Sequence, residues 1–543
     1  MTETSDTTAS SGRLQRWING SWLVRILIFN YDRISARFIH SPIGQGWRTT
    51  RRSLPNSRLY RWLTADVSTT STIGSYSYHL RMWLSILLVA FVVGVIATTH
   101  LFSPWIGVIA LTLGVSLFGL RQYWRGNLLL ALLAAGYLLR LAIIVLNSQL
   151  GVLTQPDISV FHHERSAALA GGWLEGQFTV PLSELAPARD TSLMRTVVAY
   201  LHAPFYVLLG SWRVAGELGT AFYGTIIGYM TYIVSTQITT RRNSIFAAGA
   251  VVFWPSIVYR SVVIQREVLV ALAMLMMVWI SLRFTQPNQL YERAPEDDVW
   301  QITHWTKRLP MGDIVLLFVA MVVLYVMRPE NLAVAGVTLV VAFTLRNRHV
   351  PWRFVVVGGL LLPILGYFAL NFGDFVGGQT ALTPAGLDGY AHARAHGGST
   401  YLADLHYRSW LDILLYAPVK VVYFLFSPLP WDVNGFTNFL AGVSGWALFI
   451  ATAFTGRGFT MLRDHSEKRA IIATYAVSGI LAYSIIEMNA GAAFRRRIQF
   501  VPVILILAAI ALSSISFHDR SATAEMDAVS PSDSENSITT AEN

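Results

Sequence analysis

Runs of about 17 to 22 mostly apolar residues recur between residues 82 and 517 of this 543-residue chain. At a rise of 1.5 Å per residue such runs are roughly 26–33 Å long, within the range of helices that cross the ~30 Å hydrocarbon core of a bilayer. Backbone inside lipid has to satisfy its own polar groups, so helix-length apolar runs are read as helices. Spans are expected near 82–99, 104–120, 127–147, 217–238, 244–260, 266–284, 311–327, 330–346, 353–372, 436–455, 470–487 and 499–517. Two further stretches, 196–212 and 411–427, are shorter or interrupted, one by Pro204 and the other by Pro418 with Lys420; each is left to span, re-enter or lie flat. The expected fold class is therefore an all-α polytopic membrane protein with about 12–14 transmembrane helices. Composition agrees: 53% hydrophobic residues and a mean hydropathy of +0.47 lie above a soluble domain's averages, and 13% charged residues lies well below the usual ~25%.

Charge sets the expected orientation. Residues 1–81 hold eleven Arg against four acids, which on the positive-inside rule keeps the N-terminus cytoplasmic. That flank accounts for the net charge of +10 without invoking nucleic acid. Short aromatic and aliphatic pieces between Leu14 and Trp62 alternate with Arg, as in helices that lie in the interface. Three regions follow: a basic cytoplasmic or interfacial segment 1–81, a transmembrane domain 82–517 and a polar, disordered tail 518–543. No signal peptide is read, because the first thirteen residues are polar or small apart from Met1. Cysteine is absent, which removes disulfides, thiol catalysis and cysteine ligation. The protein is expected in the cell membrane as a multi-pass chain.

Twelve crossings with two non-spanning segments best fit the basic clusters Arg241-Arg242, Arg346–Arg348 and Arg457–Arg469 to the inside. The same count leaves two long polar loops outside, about 148–195 and 373–410. Asp157 lies in the first, just beyond a span and ahead of an amphipathic stretch, and is the leading candidate for chemistry at the membrane surface. Gln265-Arg266-Glu267 and Arg328-Pro329-Glu330 each set an acid beside an arginine at a turn between spans. Such a pair either orients a guanidinium toward a phosphate or neutralises charge near lipid. Arg394 stands in the second loop, and Asn489 precedes the cluster Arg495-Arg496-Arg497. Successive helical residues point about 100° apart, so one or two of these arginines are expected to face a ligand while the rest anchor the span.

His162-His163-Glu164 and His392 with His396 show no familiar ligand spacing, so no metal ligand is assigned. Nothing in the sequence requires a cofactor; a divalent cation is compatible with it but unsupported. No Gly-rich phosphate loop, Walker motif or nucleophile elbow is present, which sets aside a nucleotide-driven pump.

Taken in order, Asp157 with Phe161 and Arg165–Gly172, Ala203–Gly210, Ala247–Pro255 leading to Arg260 and Gln265-Arg-Glu, Arg328-Pro-Glu, Pro428–Trp431 and Asn489-Ala-Gly with Arg495–Arg497 resemble the GT-C superfamily. These are membrane glycosyltransferases that use polyprenyl-phosphate sugars, and the protein-mannosyltransferase-like group, including archaeal dolichol-phosphate-mannose mannosyltransferases, is the most similar. The resemblance spans roughly Asn127 to Phe517. It departs from the family in having Ile158 after Asp157, where many members carry a second acid. What it implies is a GT-C-like bundle whose external loops carry the site, with a polyprenyl- or dolichyl-phosphate-linked hexose as donor and a glycan or glycoprotein as acceptor. Asp157 would then act as general base. Arg266, Arg328, Arg394 and Arg495 or Arg497 would hold the leaving phosphate, with Glu267 and Glu330 orienting them and Asn489 beside the substrate. The rival classes are a polysaccharide polymerase or ligase with a lipid pyrophosphate donor, a lipid-linked-sugar flippase or other transporter, and a non-catalytic scaffold.

Overall fold

The computed structural model describes residues 103–153, 157–178, 193–285, 311–346, 382–393, 395, 399–433 and 436–513. The chain divides into two units, Met1–Met82 and Trp83–Asn543, and all described residues belong to the second. The expected basic segment 1–81, the spans 82–99 and 353–372, the tail 518–543 and Arg394 lie outside the described residues.

The architecture is helical. In chain order the helices are α1 (Pro104–Trp124), α2 (Leu128–Leu150), α3 (Asp157–Leu174), α4 (Leu193–Leu209), α5 (Arg213–Thr236), α6 (Arg241–Val252), α7 (Pro255–Ser261), α8 (Glu267–Phe284), α9 (Met311–Met327) and α10 (Glu330–Arg346). They continue with α11 (Pro384–Ala393), α12 (Trp410–Phe426), α13 (Phe436–Met461), α14 (Ser466–Ile486), α15 (Ala490–Arg496) and α16 (Val501–Ser513). Extended structure among the described residues is confined to an isolated bridge between Thr400 and Asn489.

Among the described residues, four helices, α1, α2, α8 and α14, are long and apolar enough to cross a membrane, and a fifth span results if α15 and α16, bent by 62°, are counted as one. Several expected spans are shorter or broken for local reasons. The run 244–260 divides into α6 and α7 at Phe253-Trp254 because Pro255 lacks an N–H and disfavours helix at the residue before it. The interrupted stretches become α4 and α12, each 17 residues long with its proline inside.

Packing centres on α5 and α8. α5 contacts α2, α4, α6, α7 and α8, while α14 packs against α8, α10 and α12. Small residues let these backbones approach, as expected where lipid supplies no hydrophobic drive: a Cβ at Gly228 on α5 or at Gly136 on α2 would run into Val252. The fully buried Arg140 ties α2 to α7, donating from Nε to Ser261 Oγ at 2.6 Å and from Nη1 to the Gly136 carbonyl at 2.9 Å. Such packing holds rigid the helix ends from which the site is built.

Candidate active site

A polar cavity of about 420 Å³ opens where several helix ends meet, lined by His162, Gln265, Arg266, Glu267, Arg328, Ala393, Glu487, Asn489, Ala492, Arg495 and Arg496. Each charged wall residue sits beside a helix terminus. Glu267 opens α8 with Arg266 as its N-cap residue, where a carboxylate complements the helix dipole. Arg328 occupies the two-residue turn Arg328-Pro329 between α9 and α10, whose first residue is Glu330. Asn489 caps α15, its Oδ1 accepting the Ala492 N–H at 3.1 Å.

These ends interlock through charge. Arg328 Nη2 donates to Glu267 Oε1 at 2.9 Å, and Arg328 Nη1 donates to Glu330 Oε1 at 3.2 Å. Burial opposes the Arg328 charge, but Glu330 and Glu267 outweigh it and hold the guanidinium protonated above the ordinary arginine value. Arg266 Nε lies 4.0 Å from the same Glu267 Oε1. On the opposite wall, Arg496 Nη1 is 2.7 Å from Glu487 Oε2, with both residues buried. That is a charge contact without hydrogen-bond angles, and both Glu487 oxygens lack hydrogen-bond partners among the described residues. Arg495, half-buried, makes no ion pair among the described residues. Four guanidinium groups thus face three carboxylates, Glu330 included, and the excess positive charge falls to Arg495.

A second network supports the floor. Tyr483 donates to Asn331 Oδ1 at 2.7 Å, Asn331 Nδ2 donates to Gln499 Oε1 at 2.9 Å, and Tyr475 donates to the Gln499 carbonyl at 2.7 Å. Arg496 lies over the Tyr483 ring, 5.2 Å from its centroid. The wall is therefore pre-positioned before any ligand arrives.

Of the residues expected from sequence, the structure brings Arg266, Glu267, Arg328, Asn489 and Arg495 to the cavity, with Glu330 behind Arg328. Arg497 is placed elsewhere. It is fully buried, and its guanidinium donates to the carbonyls of Leu425, Ser427 and Ala441 at 2.8, 2.7 and 3.1 Å. Asp157 opens α3; its side chain lies outside the described residues, as does Arg394. The first turn of α3 is docked near the site, because Ser159 Oγ donates at 3.0 Å to the carbonyl of Ile264, the residue before Gln265. Three polar cavity residues were missed by the sequence reading. His162 lies one turn further along α3, Arg496 is the middle arginine of its cluster, and Glu487 is the polar end of the expected span 470–487.

An apolar cavity of about 420 Å³ lies on the other side of α15, lined among others by Leu139, Ile143, Val258, Arg260, Ala490, Gly491 and Phe494. Arg260 supplies its cation, 4.9 Å from the Phe494 ring centroid and donating at 3.3 Å to Gln265 Oε1 of the polar cavity. One short helix therefore divides two compartments of opposite character. Ala490, Gly491 and Phe494 face the apolar one; Ala492, Arg495 and Arg496 face the polar one.

No family model and no curated protein matches the chain. Two solved structures of the oligosaccharyltransferase of Archaeoglobus fulgidus are similar to it. One, of AglB in complex with an inhibitory peptide and a dolichol-phosphate, has a TM-score of 0.39 at 12% identity, covering 77% of this chain and 53% of that one. The other, in the apo form, has a TM-score of 0.40 at 12% identity and covers 77% and 54%. The chain thus spans about half the length of these structures. A likeness this distant assigns neither a site nor a reaction.

Proposed function

We propose that the protein is a membrane glycosyltransferase that moves a hexose, with mannose the first sugar to test, from a polyprenyl or dolichyl phosphate to a glycan or protein acceptor at the external face. The observation that carries this reading is the pair of cavities sharing α15. A cationic pocket matched to a phosphate adjoins an apolar one matched to a prenyl chain, as an amphiphilic phosphate ester requires.

The reaction asks little of such a site beyond charge and position. The acceptor hydroxyl oxygen bonds to the anomeric carbon while that carbon's bond to the phosphate oxygen breaks. A carboxylate takes the hydroxyl proton, and the lipid phosphate leaves with the electron pair, inverting the anomeric centre. Arg495 stabilises the departing anion, and Arg266, Arg328 and Arg496, already fixed by acids, complete the clamp. Asp157 is the proposed base, carried on a helix that also brings His162 to the cavity. Glu487 is the second candidate, because it lines the cavity with hydrogen-bonding capacity unused.

The test is transfer by the purified chain in lipid nanodiscs, supplied with radiolabelled dolichyl-phosphate mannose and with a lipid-pyrophosphate donor, with products read by mass spectrometry. Mannose transfer that is lost in Asp157→Asn or Glu487→Gln and falls by at least about 100-fold in Arg495→Ala supports the proposal. Undiminished transfer in all three variants overturns the site. Transfer from the pyrophosphate donor alone overturns the donor class.

A further inference from the structure

Arg260, on the last turn of α7, differs from the other buried arginines beside α15 in having little to answer its charge. Glu267 is taken by Arg328 and Arg266, and Glu487 by Arg496. Arg497 has no acid but donates to three backbone carbonyls. Arg260 is only 8% exposed, and among the described residues it forms no ion pair and a single hydrogen bond, at 3.3 Å to Gln265 Oε1. Its Nε is buried without a partner, and so is Nε2 of Gln265. Buried charges and buried donors are costly unless something pairs with them.

The surroundings hold the guanidinium without neutralising it. The Tyr259 and Phe494 rings flank it, with centroids 5.1 and 4.9 Å from its Cζ. Ring faces attract a cation, but they do not replace an acceptor for its in-plane N–H groups. Arg497 stands against the same Phe494 ring at 5.0 Å. The positive charge of Arg495 also acts on Arg260 more strongly than the negative charge of Glu267 does. Positive potential therefore accumulates at this point of the wall, where an anion is the missing partner.

Position says which anion. Arg260 lines the apolar cavity and its partner Gln265 lines the polar one, so the pair marks the junction between them. A free phosphate would give up hydration beside Leu139, Ile143 and Val258 and bring nothing to bury against them. A prenyl monophosphate brings its own apolar chain. We propose that Arg260 and Gln265 seat the phosphate of a prenyl carrier at this junction, with the chain in the apolar cavity, and so select a lipid phosphate over a lipid alcohol. The planar guanidinium fork suits two phosphate oxygens, and the Gln265 amide adds a further donor. These contacts are to the carrier and not to the sugar, so a sugar-free carrier phosphate is a sufficient probe. The inference rests on the reading of the two cavities as one lipid-phosphate site and adds the residues that read the phosphate from the lipid side.

The test is calorimetric titration of the full-length chain in detergent with farnesyl phosphate and with farnesol, which share the chain and differ in the phosphate. Wild type is expected to bind the phosphate at least about 10-fold more tightly than the alcohol. Arg260→Met, which keeps a long side chain between the two rings, lowers farnesyl phosphate affinity by at least about 10-fold and leaves farnesol affinity within about 2-fold. Arg260→Lys keeps the charge but not the fork and loses about 3-fold for the phosphate alone; it decides the matter if the methionine variant does not fold. Sodium phosphate at about 10 mM and constant ionic strength leaves farnesyl phosphate bound, since it lacks the chain. Farnesyl phosphate affinity that is unchanged in both variants overturns the proposal and leaves the two-cavity reading standing on Arg495. Equal losses for the two ligands overturn it as well, because they mark a structural arginine whose removal closes the cavity. Displacement by sodium phosphate in wild type but not in Arg260→Met overturns the lipid assignment in favour of a free anion. A wild-type chain that binds farnesyl phosphate no better than farnesol overturns the two-cavity reading itself.

Discussion

Replacing Glu267 with glutamine separates two quantities that most substitutions move together. The change keeps the side-chain volume and one acceptor for Arg328 Nη2, now 2.9 Å from the carboxylate, but removes the charge that faces both Arg328 and Arg266. Stability falls. Breaking a buried pair outright costs roughly 3–5 kcal/mol, but Arg328 keeps Glu330 at 3.2 Å, so the loss is about 1.5–3 kcal/mol, that of a charge-assisted hydrogen bond. Anion affinity rises. The cavity network goes from four guanidinium groups against three carboxylates to four against two. One unit charge about 7 Å from a phosphate is worth ~2.4 kcal/mol at an effective dielectric of about 20, and roughly 1 kcal/mol once the open mouth of the cavity is allowed for. A short-chain prenyl phosphate should therefore bind about 5- to 50-fold more tightly to Glu267→Gln, with a steeper dependence on salt. Calorimetric titration in detergent measures the affinity, and thermal unfolding of the same sample measures the stability. Unchanged or weaker binding refutes the electrostatic reasoning, and unchanged stability refutes the ion-pair geometry.

Arg495→Ala is expected to do the opposite: prenyl-phosphate affinity falls by about 5- to 50-fold, while stability moves by no more than ~0.5 kcal/mol, since the residue makes no ion pair among the described residues. Arg497→Ala leaves three carbonyls without their donor and should cost about 2–4 kcal/mol by chemical denaturation, well beyond its neighbour. Gly445→Ala forces a Cβ into the Phe426 carbonyl and should cost roughly 1–3 kcal/mol; Gly456→Ala, on the same helix with nothing within 4 Å, is the neutral control. Burial, then the nearby Arg213, hold the His163 imidazole below its usual value despite Glu164, with Nδ1 2.9 Å from Tyr206 Oη. A depressed folded value means the unfolded chain takes up the proton first, so stability is full above pH ~6.5 and declines as pH falls below it. His163→Gln should flatten the melting-temperature profile between about pH 7 and 5 relative to wild type; an identical slope in the two chains refutes the assignment.

The parts of the site legible in sequence are those fixed by the ends of apolar runs. Gln265-Arg266-Glu267 and Arg328-Pro329-Glu330 stand out because charge is costly beside lipid, and helix ends at one level of a bundle are brought together by the packing of α8 against α9 and α10. What composition does not show is helical phase. Arg495, Arg496 and Arg497 are equivalent as a run of charge, yet the first two reach the cavity and the third binds carbonyls on the far side. The signal was present in Asn489. Once it is recognised as the N-cap of α15, residues 492, 495 and 496 share a face by the spacing of three and four, and 490, 491 and 494 share another. The break at Phe253-Trp254 was similarly available from the stereochemistry of Pro255, although hydropathy alone joins 244–260 into one span. Glu487 was harder to see, because an acid closing an apolar run looks like an ordinary helix end until Arg496 is found 2.7 Å away.

The arrangement of charge also bears on the choice between catalysis and transport. Arg328 and Arg496 are held by carboxylates at 2.9 and 2.7 Å, and the floor beneath them is a hydrogen-bonded network of Tyr475, Tyr483, Asn331 and Gln499. A carrier that alternates between faces has to break and remake the contacts around its site, and buried ion pairs of this kind make that costly. A transferase has the opposite need. Its donors gain most when they are fixed before charge develops, because no reorganisation then accompanies the reaction. Arg495, half-buried, lines the cavity and meets the Glu267 charge only at longer range than Arg328 and Arg266 do. On the proposed reading, a phosphate entering beside it would complete a network that already exists, and the prenyl chain would pass α15 to reach the apolar cavity.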